Sequence, residues 1–319
     1  MPNQKIDPNN PNLSLSANIS STANVSPTAN ISSTSKLSSN CIIQENATIG
    51  ENVILGIGCI IEEGANIGSG TILGHYVTVG TGATIGANCQ VANHVTIGSQ
   101  ANIGSNTQIG PNTTIYPQVQ LGEEGFIGSN SSIGRLPKAA PTSTVKKRPD
   151  LPPLKMAQGY TIGCSVVLYS GTTYGEKVFL GDGAMVRERC KIGKNVVIGS
   201  GVAVENDTTI GAYTKIQTGS YITAYMNIEE RVFIAPMVTT TNDNFMGRTE
   251  KRFKYIKGAT IRKGARIGGG AILLPGIKIA PETFVAAGAL VTKDTEEKRI
   301  LKGFPAKNSG EVPEDELLP

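Results

Sequence analysis

Tryptophan is absent from this chain, aromatic residues make up 5% of it, and histidine occurs twice, at His75 and His94. A core of large interlocking rings is therefore excluded, and the interior has to come from Ile, Val, Leu and small residues. The five cysteines show no paired metal-ligand spacing, so no metal is expected. No apolar run is long enough to span a bilayer, and the opening MPNQKIDPNNPN contains no apolar signal region. Membrane insertion is not expected, and the cytoplasm is the expected compartment. Cys41, Cys59, Cys89 and Cys190 each stand two residues before an aliphatic position, a small inward slot that suits a buried reduced thiol. Cys41 and Cys59 are expected to stack, within reach of a disulfide that a reducing compartment disfavours.

Charge is spread unevenly over the 319 residues. Up to residue 133 there are two lysines against seven acids, whereas residues 134–319 hold 27 bases against 18 acids. A cationic C-terminal half suits a phosphate-bearing ligand. Nucleic acid is the competing partner, but no motif interleaves aromatic and basic residues, so none is expected.

What the chain does have is a beat of six. From Leu13 an aliphatic residue returns at every sixth position through Ile49, Leu73, Ile97 and Ile115 to Ile133 without a miss. The beat resumes at Ile162 and runs to Thr240, then again from Ile261 to Val291. A small residue sits two places before most of these positions (Ala29, Ala47, Ala65, Ala83, Ala101), and Gly or Ser commonly follows them. Six is neither the period of an amphipathic helix nor that of an alternating strand. It fits a short strand and a turn, repeated, with one large and one small side chain inward and Gly or Asn relaxing each corner. Stacked coils of this kind make a parallel β-solenoid, all-β in class.

The expected organisation follows the beat. Residues 1–12 form a disordered N-terminus and 13–133 a first β-helical array, polar at its start yet in frame. Residues 134–160, GRLPKAAPTSTVKKRPDLPPLKMAQGY, form a Pro/Lys-rich excursion, because such a sequence is not regular strand. Residues 161–307 form a second array interrupted by a loop at 241–257, and 308–319 a flexible acidic tail.

The sextets resemble the hexapeptide-repeat family, whose repeats fold as a left-handed parallel β-helix with three sextets per coil. About forty sextets would then make roughly thirteen coils. The stretch IGGGAILLPGIKIAPETFVAAGALVTKD followed by KGFPAK resembles the closing signature of hexapeptide acyltransferases, which take an acyl group from coenzyme A. Upstream, KIQTGSYITAYMNIEERVFIAPMVTTTND resembles N-acetyltransferases that act on nucleotide-linked amino sugars. That family typically has paired asparagines after KIQ, where this chain has Thr218 and Gly219.

The resemblance implies acetyl-CoA as co-substrate, an amino sugar or sugar nucleotide as acceptor, and a homotrimer. It makes Asn242 and Asp243 the candidates for orienting the acceptor, with Gln217, Thr241 and Arg248 as substrate contacts. It places the pantetheine arm beside Gly269, Ala287 and Gly288, and the phosphates near Lys293, Lys302 and Lys307. The chemistry asks little, since a neutral amine is already nucleophilic. The enzyme has to align two reactants, offer donors to an oxyanion and let a proton leave nitrogen. Two rival readings remain. His75, in LGHYVTVG, resembles the base of the acyltransferases of lipid A synthesis and would signal O-acyl transfer or a longer acyl donor. Alternatively the chain is a non-catalytic β-helical scaffold.

Overall fold

The computed structural model describes residues 18–139, 150–247 and 249–318. The expected start of the first array at Leu13, the N-terminal 1–12 stretch and Arg248 lie outside the described residues. The all-β, left-handed parallel β-helix that the resemblance implies is what the chain forms. It divides into two compact units. Of the described residues, one comprises those up to 136 with 152–170, and the other those of 137–151 and from 171 onward.

In the first unit almost every strand is two residues long and pairs in parallel with the strand 18 residues later. Leu37, Leu55, Leu73, Val91, Ile109 and Ile127 therefore stack in one inward column. All are buried, as the hydrophobic term requires of a repeat that cannot bury its faces alone. The first residue of each strand points outward and the second inward, which is the strand period of two cut to one repeat. At the corners Asn40, Asn46, Asn52, Asn88, Asn106 and Asn112 adopt positive φ near 60°, a conformation asparagine tolerates better than other non-glycine residues.

The small inward slot admits polar side chains because one acceptor waits for each of them. Thr71 Oγ1 donates to Gly86 O at 2.8 Å, Thr113 Oγ1 to Gly128 O at 3.0 Å and Ser35 Oγ to Gly50 O at 2.7 Å. Cys41 Sγ and Cys59 Sγ donate in the same way to Gly56 O and Gly74 O. In each of these the acceptor is the corner carbonyl 15 residues ahead, so these buried donors are matched. All five cysteines are free; Cys41, Cys59, Cys89 and Cys190 are buried and Cys164 is exposed.

The first excursion leaves after the strand Ser132–Arg135. The chain rejoins the unit at Lys155–Met156, which pairs with Gln120 and Leu121. Regular structure thus resumes one sextet before Ile162, with Leu154 in the small slot and Met156 buried in the aliphatic one.

The second unit repeats the pattern from Thr173–Tyr174 to Leu290–Val291. Its loop leaves after Thr239–Thr240 and returns at Thr260–Ile261. Beyond Val291 the chain forms a strand at Arg299–Lys302, parallel to Phe284–Val285. An antiparallel strand, Lys307–Glu311, follows it. The stretch read as an acidic tail therefore opens inside a strand, and one helical turn, Glu314–Glu316, follows.

Candidate functional site

Three outward corners run up the second unit, and the candidate residues occupy two of them. The first corner follows the strands Lys215–Ile216, Phe233–Ile234, Arg266–Ile267 and Phe284–Val285. It carries Gln217, then Pro236, then Gly268–Gly270, then Ala286–Gly288. Adjacent corners are tied by backbone bonds: Met237 N to Thr218 O at 3.0 Å, Gly270 N to Pro236 O at 3.0 Å, and Gly288 N to Gly269 O at 2.8 Å. Packing is so close that a Cβ on Gly268 would lie 2.5 Å from Ala287 N, so only glycine fits there. Gly288, at φ +68°, faces open space. Gly269, Ala287 and Gly288 together form an edge nearly bare of side chains.

The second corner follows the strands Met185–Val186, Ala203–Val204, Tyr221–Ile222 and Thr239–Thr240. It carries Thr241, Asn242 and Asp243. Thr241 donates both its amide and its hydroxyl to Leu273 O, each at 3.0 Å. Asn242 Nδ2 donates to Ala224 O at 3.2 Å, and its own carbonyl accepts from Lys257 N at 2.9 Å, which closes the loop.

Asp243 is committed on both carboxylate oxygens. Oδ1 accepts from Phe245 N at 2.8 Å, and Oδ2 accepts from Gly247 N at 2.9 Å. The Arg252 guanidinium lies 3.1 Å from Oδ2 as an ion pair, though without hydrogen-bond alignment. The loop cations sit on the loop's own rings: Lys251 lies 5.0 Å from the Phe245 centroid and Lys254 5.6 Å from that of Tyr255. Asp243 therefore organises the loop around a short helix, Arg252–Tyr255.

Lys293 and Lys307 are brought together. They line a cleft of about 330 Å³ between Val291–Glu296 and the C-terminal hairpin, with Arg299, Leu301 and Asn308. Asp294 Oδ1 accepts from Lys278 N and Thr295 Oγ1 from Ala280 N, each at 2.8 Å, which holds the cleft's floor. Ala286 N donates to Leu301 O, so the bare edge adjoins this cleft. Lys302 belongs to the same hairpin but does not line it.

Sequence reasoning passed over a charged network lower on the second corner. Glu188 is 6% exposed, and its carboxylate lies 2.9 Å from Arg187 and 3.5 Å from Arg189. Arg189 in turn grips Asp207 with two bonds, at 2.7 and 2.9 Å. Arg187 Nη1 reaches Glu205 Oε2 at 3.4 Å. Burial pushes the Glu205 carboxyl above its ordinary value; Arg187 pulls it back and Glu188 adds to the rise. The spacing was legible, since Arg187 and Glu205, and Arg189 and Asp207, are each one 18-residue coil apart.

In the first unit, His75 Nδ1 accepts from Ile57 N at 3.0 Å, and its amide donates to Asn93 Oδ1 at 2.8 Å. His94 stacks on Tyr76 at 5.3 Å. One imidazole nitrogen of His75 is thus spent on holding a corner. Among the described residues no group of three or more His, Cys, Asp or Glu is placed to hold a metal ion. Among the described residues no helix is long and apolar enough to cross a membrane.

Residues 64–99, 100–135, 171–206 and 189–224 match the family model described as bacterial transferase hexapeptide (six repeats). Over 54 residues the chain is 44% identical to a Schizosaccharomyces pombe protein named for serine acetyltransferase, covering 17% of this chain and 20% of that protein. Over 79 residues it is 34% identical to a Saccharomyces cerevisiae protein named for acetyltransferase, covering 24% and 40%. The chain thus spans less than half the length of either curated relative. Among solved structures it is similar to a mutant GDP-perosamine N-acetyltransferase from Caulobacter crescentus, in complex with CoA and GDP-perosamine. That likeness has 23% identity, covers 48% of this chain and 57% of that one, and has a TM-score of 0.35.

Proposed function

We propose that this chain of bacterial-transferase hexapeptide repeats is an acetyl-CoA-dependent N-acetyltransferase acting on an amino sugar, nucleotide-linked, in glycan biosynthesis. The observation that carries the reading is the bare edge at Gly268–Gly270 and Ala286–Gly288 running into the cleft of Lys293 and Lys307. Backbone amides and carbonyls without overhanging side chains suit the pantetheine arm, which is itself a chain of amides. Two lysines at the end of that edge suit the phosphates as point charges. The matched relatives' names, both of them acetyltransferases, agree with the donor.

Thr241, Asn242 and Asp243 fix the loop on the acceptor side, and its Arg248 is the proposed partner of a diphosphate. Gln217 stands on the donor corner and orients the thioester side. From Gln217 to Thr223 is six residues, so a whole face, roughly 15–20 Å, separates the two corners. The reacting atoms have to approach to about 3–3.5 Å. A homotrimer resolves this, one copy offering its bare edge and the next its loop. The outward residues beside the bare edge support such contact. They include Phe179, Phe233 and Phe284 on one side and Ile272 and Leu290 on the other. The third face carries Thr173, Lys191, Thr209, Asn227, Thr260 and Lys278. Apolar surface flanking one corner and polar surface on the face opposite it is the pattern of a closed symmetric assembly.

The test is release of free CoA thiol from acetyl-CoA with a panel of acceptors: free glucosamine, UDP-glucosamine, and 4-amino-4,6-dideoxyhexoses linked to UDP, dTDP and GDP. Turnover with an amine acceptor and none with its hydroxyl counterpart supports N-transfer. Absence of turnover, together with no thermal shift at millimolar acetyl-CoA, would leave the scaffold reading standing.

A further inference from the structure

An amine that attacks a thioester has to shed a proton, and the second unit contains no histidine to take it. The carboxylates near the loop's corner are few. Asp243 has both oxygens bound to loop amides. Glu188 is buried between two arginines, and Asp207 is held by two bonds from Arg189 and one from Asn206. Glu205 differs. Its Oε2 meets Arg187 at the long distance of 3.4 Å, and its Oε1 accepts no bond from the described residues.

Its place in the fold ties it to the loop. The corners carrying Glu188, Asn206, Ala224 and Asn242 are linked in sequence: Asp207 N donates to Glu188 O, Tyr225 N to Asn206 O, and Asn242 Nδ2 to Ala224 O. Glu205 therefore lies two coils from Thr241, about 10 Å at the inter-strand spacing, which is the length of a sugar ring with its substituents. Between them stands Tyr221, 40% exposed, paired in register with Ala203 below and Thr239 above. Both neighbours are small, so the ring face is open. An open aromatic face beside polar groups suits the apolar face of a pyranose.

We propose that Glu205 is the proton acceptor of the transfer, with Arg187 fixing its carboxylate and Tyr221 forming the platform on which the acceptor sugar lies. The inference rests on the N-acetyltransferase reading above. In the step, the amine nitrogen bonds to the thioester carbonyl carbon and the carbonyl π pair moves to oxygen. Glu205 takes the N–H proton. The oxyanion then collapses, the C–S bond breaks, and the departing sulfur receives that proton, giving the amide and free CoA thiol. Burial makes Glu205 a better proton acceptor than an exposed carboxylate. The charged and titratable groups facing it are Arg187, Glu188 and Tyr221.

The experiment begins with wild-type protein, acetyl-CoA and the acceptor panel, and then compares Glu205→Gln, Glu205→Asp and, as control, Glu230→Gln on another corner. The expected result is a kcat lowered about 100-fold or more in Glu205→Gln, the usual span of general-base catalysis. The KM for acetyl-CoA and the melting temperature stay put. The wild-type rate rises with pH through an inflection above the ordinary carboxylate range. That limb is absent in Glu205→Gln and present in Glu205→Asp, which recovers part of the rate. A Glu205→Gln variant within threefold of wild type, with its pH limb intact, overturns the assignment and leaves the N-acetyltransferase reading in place. A loss that Glu205→Asp does not recover, with a lowered melting temperature, marks a structural ion pair and also overturns it. No turnover by wild type with any acceptor removes both.

Discussion

Replacing Asp243 by alanine should unfasten the loop without unfolding the coils that carry it. The side chain is 12% exposed and accepts two backbone N–H bonds, from Phe245 and Gly247, beside the Arg252 ion pair. A hydrogen bond to a charged group contributes about 1.5 kcal/mol. A partly exposed ion pair adds up to about 1 kcal/mol. The total is roughly 4 kcal/mol, and at 1.4 kcal/mol per decade the equilibrium between ordered and open loop shifts by nearly a thousandfold. The coils are held independently, by ladder bonds such as Thr239 N to Ala271 O and by the buried column Ile216, Ile234 and Ile267. The melting temperature should therefore change little, since the loop is a separate unit of local opening. Amide exchange at Phe245 and Gly247 should accelerate by two to three orders of magnitude. Trypsin should cut after Lys251 or Lys254 far faster than in wild type. Asp243→Asn retains one acceptor and should fall between the two. If Asp243→Ala left exchange and cleavage at wild-type rates, the loop would be ordered by something other than this carboxylate.

Three further outcomes follow from the geometry. Gly268→Ala sets a Cβ 2.5 Å from Ala287 N, so the corner backbone has to shift; acetyl-CoA KM should rise about tenfold while acceptor KM holds, read from initial rates. Tyr160 is buried in the first unit with its hydroxyl unpartnered, its ring lying where a Cβ on Gly125 would come within 2.0 Å. Tyr160→Phe should be neutral or stabilising by up to about 1 kcal/mol, and Gly125→Ala destabilising by about 1–3 kcal/mol, both measured in denaturant. Glu205 has a raised folded-state pKa, so its ionised form costs stability above the ordinary carboxylate range, and that cost vanishes as pH falls below the unfolded value. Glu205→Gln should thus melt no lower than wild type at pH 7, and any gain should shrink on acidification to pH 4.

The beat of six placed nearly every strand because one aliphatic residue per sextet decides burial, and Ile261 and Thr240 mark the loop's ends as read. Met156 escaped because methionine in a Pro/Lys-rich stretch carries no periodic signal, although its flexible side chain fills the aliphatic slot. The grouping of site residues was harder to read. Loops of irregular length break the 18-residue count, so Gln217 and Gly269 share a corner though 52 residues apart, whereas Gln217 and Thr241, closer in sequence, do not.

Corner positions also separate two jobs that look alike in sequence. Asp243 and Glu205 both follow a strand on the same corner, and both resemble solvated turn residues. Asp243 accepts an amide of its own loop on each oxygen, which commits the side chain to ordering that loop. Glu205 has a neighbour in Arg187 but no amide donor, so it keeps an unfilled oxygen beside an open ring. A carboxylate held on both oxygens by backbone amides is committed to its loop, and one without such donors under partial burial is the better placed to take a proton. That difference depends on where backbone N–H groups point. Residue identity and spacing do not encode it, and the β-helix supplies it corner by corner.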